Sequence, residues 1–69
     1  MAIVSEEALF KKFLNLIGHL VEVGVDSAGR IFKGKVVYTM PDSFILEVNG
    51  TKKVITFKDI VFINENKET

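Results

Sequence analysis

The spacing of apolar residues changes once along this chain, at Gly18. Before this glycine, apolar side chains recur at the helical positions i, i+3, i+4 and i+7, occupied by Phe10, Phe13, Leu14 and Ile17. After it, apolar and polar residues alternate, which is the period of a half-buried strand. The change predicts one amphipathic helix over residues 5–17, followed by β-structure from residue 19 onward.

The ends of the predicted helix carry their own signals. Ser5 precedes the periodic segment, where a serine hydroxyl can accept a hydrogen bond from a free backbone N–H. Glu6 and Glu7 follow in the first turn, where negative charge suits the helix dipole. Gly18 stands where helices commonly stop. These residues predict a helix of three turns.

Turn residues divide the rest of the chain into five short strands, at about residues 21–25, 30–39, 44–48, 52–57 and 60–63. Asn49 and Gly50 form the strongest hairpin signal and favour a type I′ turn. Gly34 lies within the second strand, where a glycine suggests a sharp bend. The prediction is a mainly β fold, in which an N-terminal helix precedes a five-stranded, strongly bent antiparallel barrel. It is one domain over residues 1–69, with a barrel at 19–63 and a frayed tail at 64–69.

Alternation also predicts which side chains form the core. In the second strand Phe32, Gly34, Val36 and Tyr38 are expected to share one face. In the third, Phe44, Leu46 and Val48 are expected to point inward. All six phenylalanines fall on apolar faces, so we expect core positions for them.

The chain is short and has no disulfide or metal site to stabilise it. It has 69 residues, no cysteine and one histidine, His19, which excludes disulfides and Cys/His zinc sites. A domain of this size is usually stabilised by a disulfide, a metal ion or a partner subunit. Strands four and five are apolar on both faces, which is hazardous for an exposed sheet edge. We therefore expect copies of the chain to associate through these two strands.

Charge and motifs narrow the function classes. Nine basic and nine acidic side chains cancel, so the net charge does not favour nucleic acid or anionic lipid. The N-terminal residues do not form a signal peptide and no apolar run reaches transmembrane length, so we expect a cytoplasmic protein that has no membrane partner. No nucleophile motif, phosphate loop or paired carboxylates occur. We predict that it is not an enzyme and needs no cofactor or metal.

Two segments resemble a known family. The stretch IFKGKVVYTMPDSFILEV and the stretch VITFKDIVFI are similar to the two sequence motifs of the Sm/LSm proteins, whose bacterial branch is Hfq. The resemblance covers about residues 5–63. It implies an SH3-like barrel, a homomeric ring of about five to seven subunits joined through strands four and five, and binding of single-stranded RNA by two loops at the pore.

The same resemblance implies the RNA contacts. The first loop would contribute Met40, Asp42 and Ser43, and the tight turn before strand five would contribute Lys58 and Asp59. Met40 and Ser43 stand near positions at which the family usually carries an aspartate and an asparagine. From its residues alone, the first loop also reads as a plain turn, with Pro41 at its second position.

Basic residues in the second strand suggest a further contact. Arg30, Lys33 and Lys35 cluster there, and Lys33 and Lys35 share a face, as a set of phosphate contacts would. Lysines on a solvated strand face are commoner than phosphate sites, and both interpretations stay open.

Two other function classes remain open on the sequence. One is a structural or adaptor ring that binds protein partners and not RNA. The other is a monomeric SH3-like module that binds peptides, which would leave the apolar last strands exposed. The mass of the assembled protein distinguishes a ring from a monomer, and an RNA affinity that falls with salt distinguishes the RNA-binding ring from the adaptor ring.

Overall fold

The structure is a computed structural model that describes residues 5–26 and 29–65. Residues 66–69, most of the predicted frayed tail, lie outside the described residues, as do two residues of the turn before the second strand. The elements, in chain order, are α1 (Glu6–Leu16), β1 (Leu20–Val25), β2 (Arg30–Met40), β3 (Ser43–Val48), β4 (Thr51–Thr56), a 3-10 turn (Phe57–Asp59) and β5 (Ile60–Glu65). Residues 64 and 65, predicted as tail, belong to β5.

The capping residues of α1 act as the sequence predicts. The backbone N–H of Ala8 donates to the Ser5 hydroxyl over 3.1 Å, and Glu6 and Glu7 occupy the first turn. The helix ends at Leu16, and Gly18 then takes a φ of +88°, a conformation that glycine adopts without strain. With 11 residues, α1 is the longest helix of the described residues, and none of their helices could span a membrane.

The five strands form one antiparallel sheet in the order β4-β3-β2-β1-β5. The mainly β class, the helix-first order and the number of strands are therefore confirmed. The sheet is open, because its edge strands β4 and β5 do not pair with each other and are joined only by the 3-10 turn. The predicted strong bend and barrel closure are not found.

The core lies between α1 and one face of the sheet. Ten apolar side chains are buried there: Phe13, Leu16, Val21, Val23, Val25, Val36, Phe44, Leu46, Ile55 and Phe57. Of the predicted inward face of the helix, Phe13 is buried and Phe10 packs against the core, but the other two residues do not follow. Leu14 and Ile17 are exposed, whereas Leu9 and Leu16 pack in or against the core beside Phe13. Leu9, Phe13 and Leu16 have a helical spacing of their own, and the sequence gives no means of choosing between the two overlapping stripes.

Two aromatic residues lie on the outer face, which we define as the face of the sheet turned away from the core. A register shift between Val36 and Tyr38 inserts an extra residue in β2, and Tyr38 is 56% exposed instead of facing the core. Phe62 is 39% exposed and its ring lies over Gly24 in β1. The core prediction is wrong for both residues. It is confirmed for Phe13, Phe44 and Phe57, and Phe10 and Phe32 pack against the core.

One turn and two close approaches account for three glycines of the sheet. Asn49 and Gly50 both have positive φ, as the predicted type I′ hairpin requires. Gly34 serves close packing: a Cβ placed there would lie 2.2 Å from the backbone oxygen of Glu47 in β3. Gly24 is different, because the three atoms nearest to its added Cβ all belong to the ring of Phe62, the first of them at 2.2 Å.

We expect Gly34→Ala to destabilise the fold more than Gly24→Ala. At Gly34 the obstacle is backbone, so strand β3 must move, at a cost of about 1–3 kcal/mol. At Gly24 the obstacle is a partly exposed side chain that can rotate away. Urea unfolding followed by circular dichroism measures both. Equal losses for the two variants would contradict the close approach of β2 to β3 at Gly34.

Candidate functional site

The loop between β2 and β3 is a two-residue hairpin. Met40 and Ser43 are the last paired residues, so only Pro41 and Asp42 form the turn. Neither has the positive φ of the primed hairpin turns, because among the described non-glycine residues only Asp26 and Asn49 do. Negative φ at both positions fits the predicted turn, in which proline presets the first φ. The turn exposes the Asp42 side chain to solvent.

Two hydroxyl groups hold this loop. The Thr39 hydroxyl lies 3.2 Å from the backbone oxygens of both Met40 and Ser43, and Thr39 is only 2% exposed. The Ser43 hydroxyl donates to Asp42 Oδ1 over 3.2 Å. Ser43 is 7% exposed, so it orients the aspartate and presents little surface of its own. Thr39 was missed by the sequence analysis, because its hydroxyl becomes significant only once β2 and β3 are paired.

The 3-10 turn lies against the same loop. The backbone N–H of Phe57 donates to the backbone oxygen of Asp42 over 3.0 Å. Phe57 is buried and stacks on Phe13 at a centroid distance of 5.5 Å. Lys58 follows directly in sequence and is exposed. The two segments predicted to bind RNA are thus joined by a backbone hydrogen bond on one rim of the sheet.

The other side of the 3-10 turn is also fixed. The backbone N–H of Asp26, at the end of β1, donates to the backbone oxygen of Asp59 over 2.9 Å. The Asp59 side chain is exposed. These backbone hydrogen bonds bring the exposed residues Asp26, Asp42 and Asp59, and Lys58 beside them in sequence, to one rim of the sheet. Among the described residues, no group of three acidic or histidine side chains is placed to hold a metal ion.

A groove extends from Lys58 along the helix. It has a volume of about 520 Å³ and lies between α1, the 3-10 turn and β5, with Leu9, Lys12, Phe57, Ile60, Val61, Phe62 and Ile63 as its other lining residues. Lys12 and Lys58 supply its two charges, and the remaining lining is apolar. Lys12 Nζ lies 2.6 Å from Glu65 Oε2. The sequence carries no signal for this groove, because it arises only when the helix docks.

The three basic residues of β2 lie apart from this rim. Lys33 and Lys35 are exposed on the outer face, opposite Glu22 and Glu47 respectively. Arg30 begins the strand, and its Nε is 3.7 Å from Asp26 Oδ2. Met40 lies five positions after Lys35, or roughly 17 Å along the strand. The shared face of Lys33 and Lys35 is confirmed, and Arg30 is the one of these three basic residues with an acidic side chain within ion-pair distance in the described residues.

Comparisons with known proteins find no matching family model and no curated protein with significant sequence similarity.

The hydroxyl of Thr39 gives a direct test of the loop geometry. Thr39→Val keeps the side-chain shape but removes the donor to the Met40 and Ser43 carbonyls. We expect it to lower the free energy of unfolding in urea by about 1 kcal/mol. Thr51→Val, at an exposed position of β4, is the matched control and should change stability by less than about 0.5 kcal/mol. Equal effects would show that the Thr39 hydroxyl does not hold the loop.

Proposed function

We propose that this chain is an Sm-like protein that assembles into a homomeric ring and binds single-stranded RNA at the rim formed by residues 40–43 and the 3-10 turn. The helix-first order and the five antiparallel strands support this proposal, since both are compatible with the Sm-like fold. The binding residues are Asp42 and Lys58, with Met40, Ser43 and Asp59 beside them.

The hydrogen bond from Phe57 N to Asp42 O is the observation that carries the proposal. It holds an exposed carboxylate and an exposed ammonium group on adjacent segments, although 16 positions separate them in sequence. A carboxylate can accept hydrogen bonds from the N–H groups of an unpaired base, while an ammonium group binds the phosphate. Together the two groups would contact the base and the phosphate of one nucleotide.

The groove beside Lys58 supplies apolar surface, which Asp42 and Lys58 do not provide. Single-stranded nucleic acids bind through charge along the backbone and apolar or aromatic surface under the bases. Leu9, Ile60 and Ile63 give the groove an apolar floor, and Lys12, whose Nζ lies 2.6 Å from Glu65 Oε2, is its second cationic side chain. A strand that leaves the rim at Lys58 would find both kinds of surface along α1.

Assembly into a ring would raise the affinity for RNA by placing several weak sites together. The net charge of zero gives one copy little long-range attraction for RNA. About five to seven copies would place several rims within reach of one strand, and linked weak sites bind far more tightly than single ones. Edge strands β4 and β5, both unpaired on their outer sides in the described residues, are the surfaces proposed to join the subunits.

Arg30, Lys33 and Lys35 are proposed as secondary phosphate contacts only. They lie away from the rim: Lys33 and Lys35 are exposed on the outer face of β2, and Arg30 is beside Asp26 at the start of the strand.

An adaptor ring is the second candidate function. Tyr38 and Val54 are 56% and 65% exposed on the outer face, and Ile45 lies between them in the strand register. Apolar surface of this kind suits a protein partner better than a phosphate backbone. In this case the ring forms but the rim binds no RNA.

We expect Lys58→Ala to weaken binding of a uridine-rich oligonucleotide several-fold at 0.1 M salt. The reason is the loss of one phosphate contact per occupied subunit, which also lowers the slope of log affinity against log salt by about 0.7 for each contact. Fluorescence anisotropy over a salt series measures both quantities.

The matched control is Lys11→Ala, which removes one exposed lysine from the helix. Lys11 lies 3.8 Å from Glu7 and does not line the groove. Its loss should leave affinity and salt slope within error of the unmodified protein. If the two variants weaken binding equally, the RNA site is not at the rim; if the unmodified protein binds no RNA, the adaptor function takes its place.

A further inference from the structure

The groove between α1, the 3-10 turn and β5 has an apolar floor that is only partly covered. Leu9, Ile60 and Ile63 are half-buried, and Val61 is 64% exposed. The volume of about 520 Å³ falls within the usual range of binding clefts. Exposed apolar side chains gathered in one concave place mark a site of contact with another group.

The start of α1 leads the preceding chain toward this groove. Ser5 is the N-cap residue: its hydroxyl accepts from the Ala8 N–H and its carbonyl from the Leu9 N–H, both over 3.1 Å. At such helix starts, the residue before the cap packs against the fourth residue after it when both are apolar. These two residues are Val4 and Leu9. Since Leu9 lines the groove, a side chain packed on Leu9 lies at the groove as well.

The length and composition of residues 1–4 match the groove. They precede the described part of the chain, and none of their side chains is charged. Four extended residues span about 13 Å, and the floor from Ile60 to Ile63 takes roughly 10 Å of β5. Residues 66–69, which follow the described part, are polar or charged and do not suit an apolar floor.

We propose that Ile3 and Val4 of the same chain occupy this groove, with Val4 on Leu9 and Ile3 against Val61. The segment covers apolar surface that the described residues leave exposed. It also acts as an autoinhibitory contact, because an RNA strand that follows the groove from Lys58 must first displace it. This second consequence rests on the proposed function, whereas the docking itself does not.

The short connection to Ser5 favours the chain's own segment over that of a second copy. Val4 is the residue next to Ser5, whose backbone is fixed by the first hydrogen bonds of the helix. Short flexible connections give effective concentrations on the order of millimolar. A segment from another copy has no such advantage at ordinary protein concentrations.

Thiol reactivity tests the docking, because the chain has no cysteine of its own. Ile3→Cys and Lys11→Cys are made as single variants, and their reaction with a maleimide is timed in buffer and in urea. Lys11 is exposed and does not line the groove, so it is the solvent reference. We expect the thiol at position 3 to react at least about fivefold more slowly in buffer, since the segment must first leave the groove, and equally fast in urea. Equal rates in buffer would overturn the docking.

Double variants identify what covers the segment. Ile3→Cys combined with Val61→Cys and oxidised with copper phenanthroline should form a disulfide within one chain, seen as a monomer without free thiols on a non-reducing denaturing gel. Ile3→Cys combined with Ile31→Cys is the matched control, because Ile31 is 53% exposed but lies on the outer face. It should give at least tenfold less product. Similar yields from the two pairs, or covalent dimers as the main product, would overturn the proposal.

Removal of residues 2–4 tests the competition with RNA. We expect the affinity for a uridine-rich oligonucleotide to rise several-fold, and Ile3→Ser to change it in the same direction with the chain intact. No rise in a protein whose thiol at position 3 is protected would refute the autoinhibitory contact.

The two proposals fail separately. RNA binding that depends on Lys58, together with an unprotected thiol at position 3, would refute the docking and leave the proposed RNA site standing. A protected thiol in a protein that binds no RNA would do the reverse.

Discussion

Three stacked phenylalanine rings connect the helix, the sheet and the candidate site. The ring centroid of Phe13 in α1 lies 4.1 Å from that of Phe44 in β3 and 5.5 Å from that of Phe57 in the 3-10 turn. The interplanar angles are 14° and 10°. All three are at most 2% exposed. Such pairs contribute about 0.5–1.5 kcal/mol each beyond the burial of their area. Since the backbone of Phe57 also bonds to Asp42 and Lys58 is the next residue, the packing that docks the helix also positions the rim.

The open sheet is the second constraint. In the described residues its order leaves β4 and β5 as edges, and those edges carry three exposed apolar side chains, Val54, Val61 and Phe62. A small domain that exposes such edges gains stability by pairing them. The proposed ring relates the exposed edges to the candidate RNA-binding rim. Each contact between edge strands adds one more subunit with its own rim, so a single RNA strand meets several rims.

The local rules of the sequence predicted the elements well. Ser5 caps the helix, Asn49 and Gly50 form the hairpin, and the strand positions agree within about two residues, because short-range chemistry decides each of them. Predictions that depended on tertiary placement did less well. The bulge after Val36 moved Tyr38 to the outer face, and no residue type near it signals an insertion. The helix could bury either of two overlapping stripes, and docking chose the one containing Leu16.

In the candidate site, too, the features set by local sequence were predicted and those set by tertiary contacts were not. Loop residues 40–43 and Lys58 could be singled out from sequence, but their junction through Phe57, the Thr39 hydroxyl and the groove along α1 depend on contacts between distant segments. The most direct test of the account is a native mass spectrum of the protein with and without a short uridine-rich oligonucleotide. The account predicts a closed ring of about five to seven subunits that gains one oligonucleotide. A monomer at all concentrations, or a ring that gains none, would contradict it.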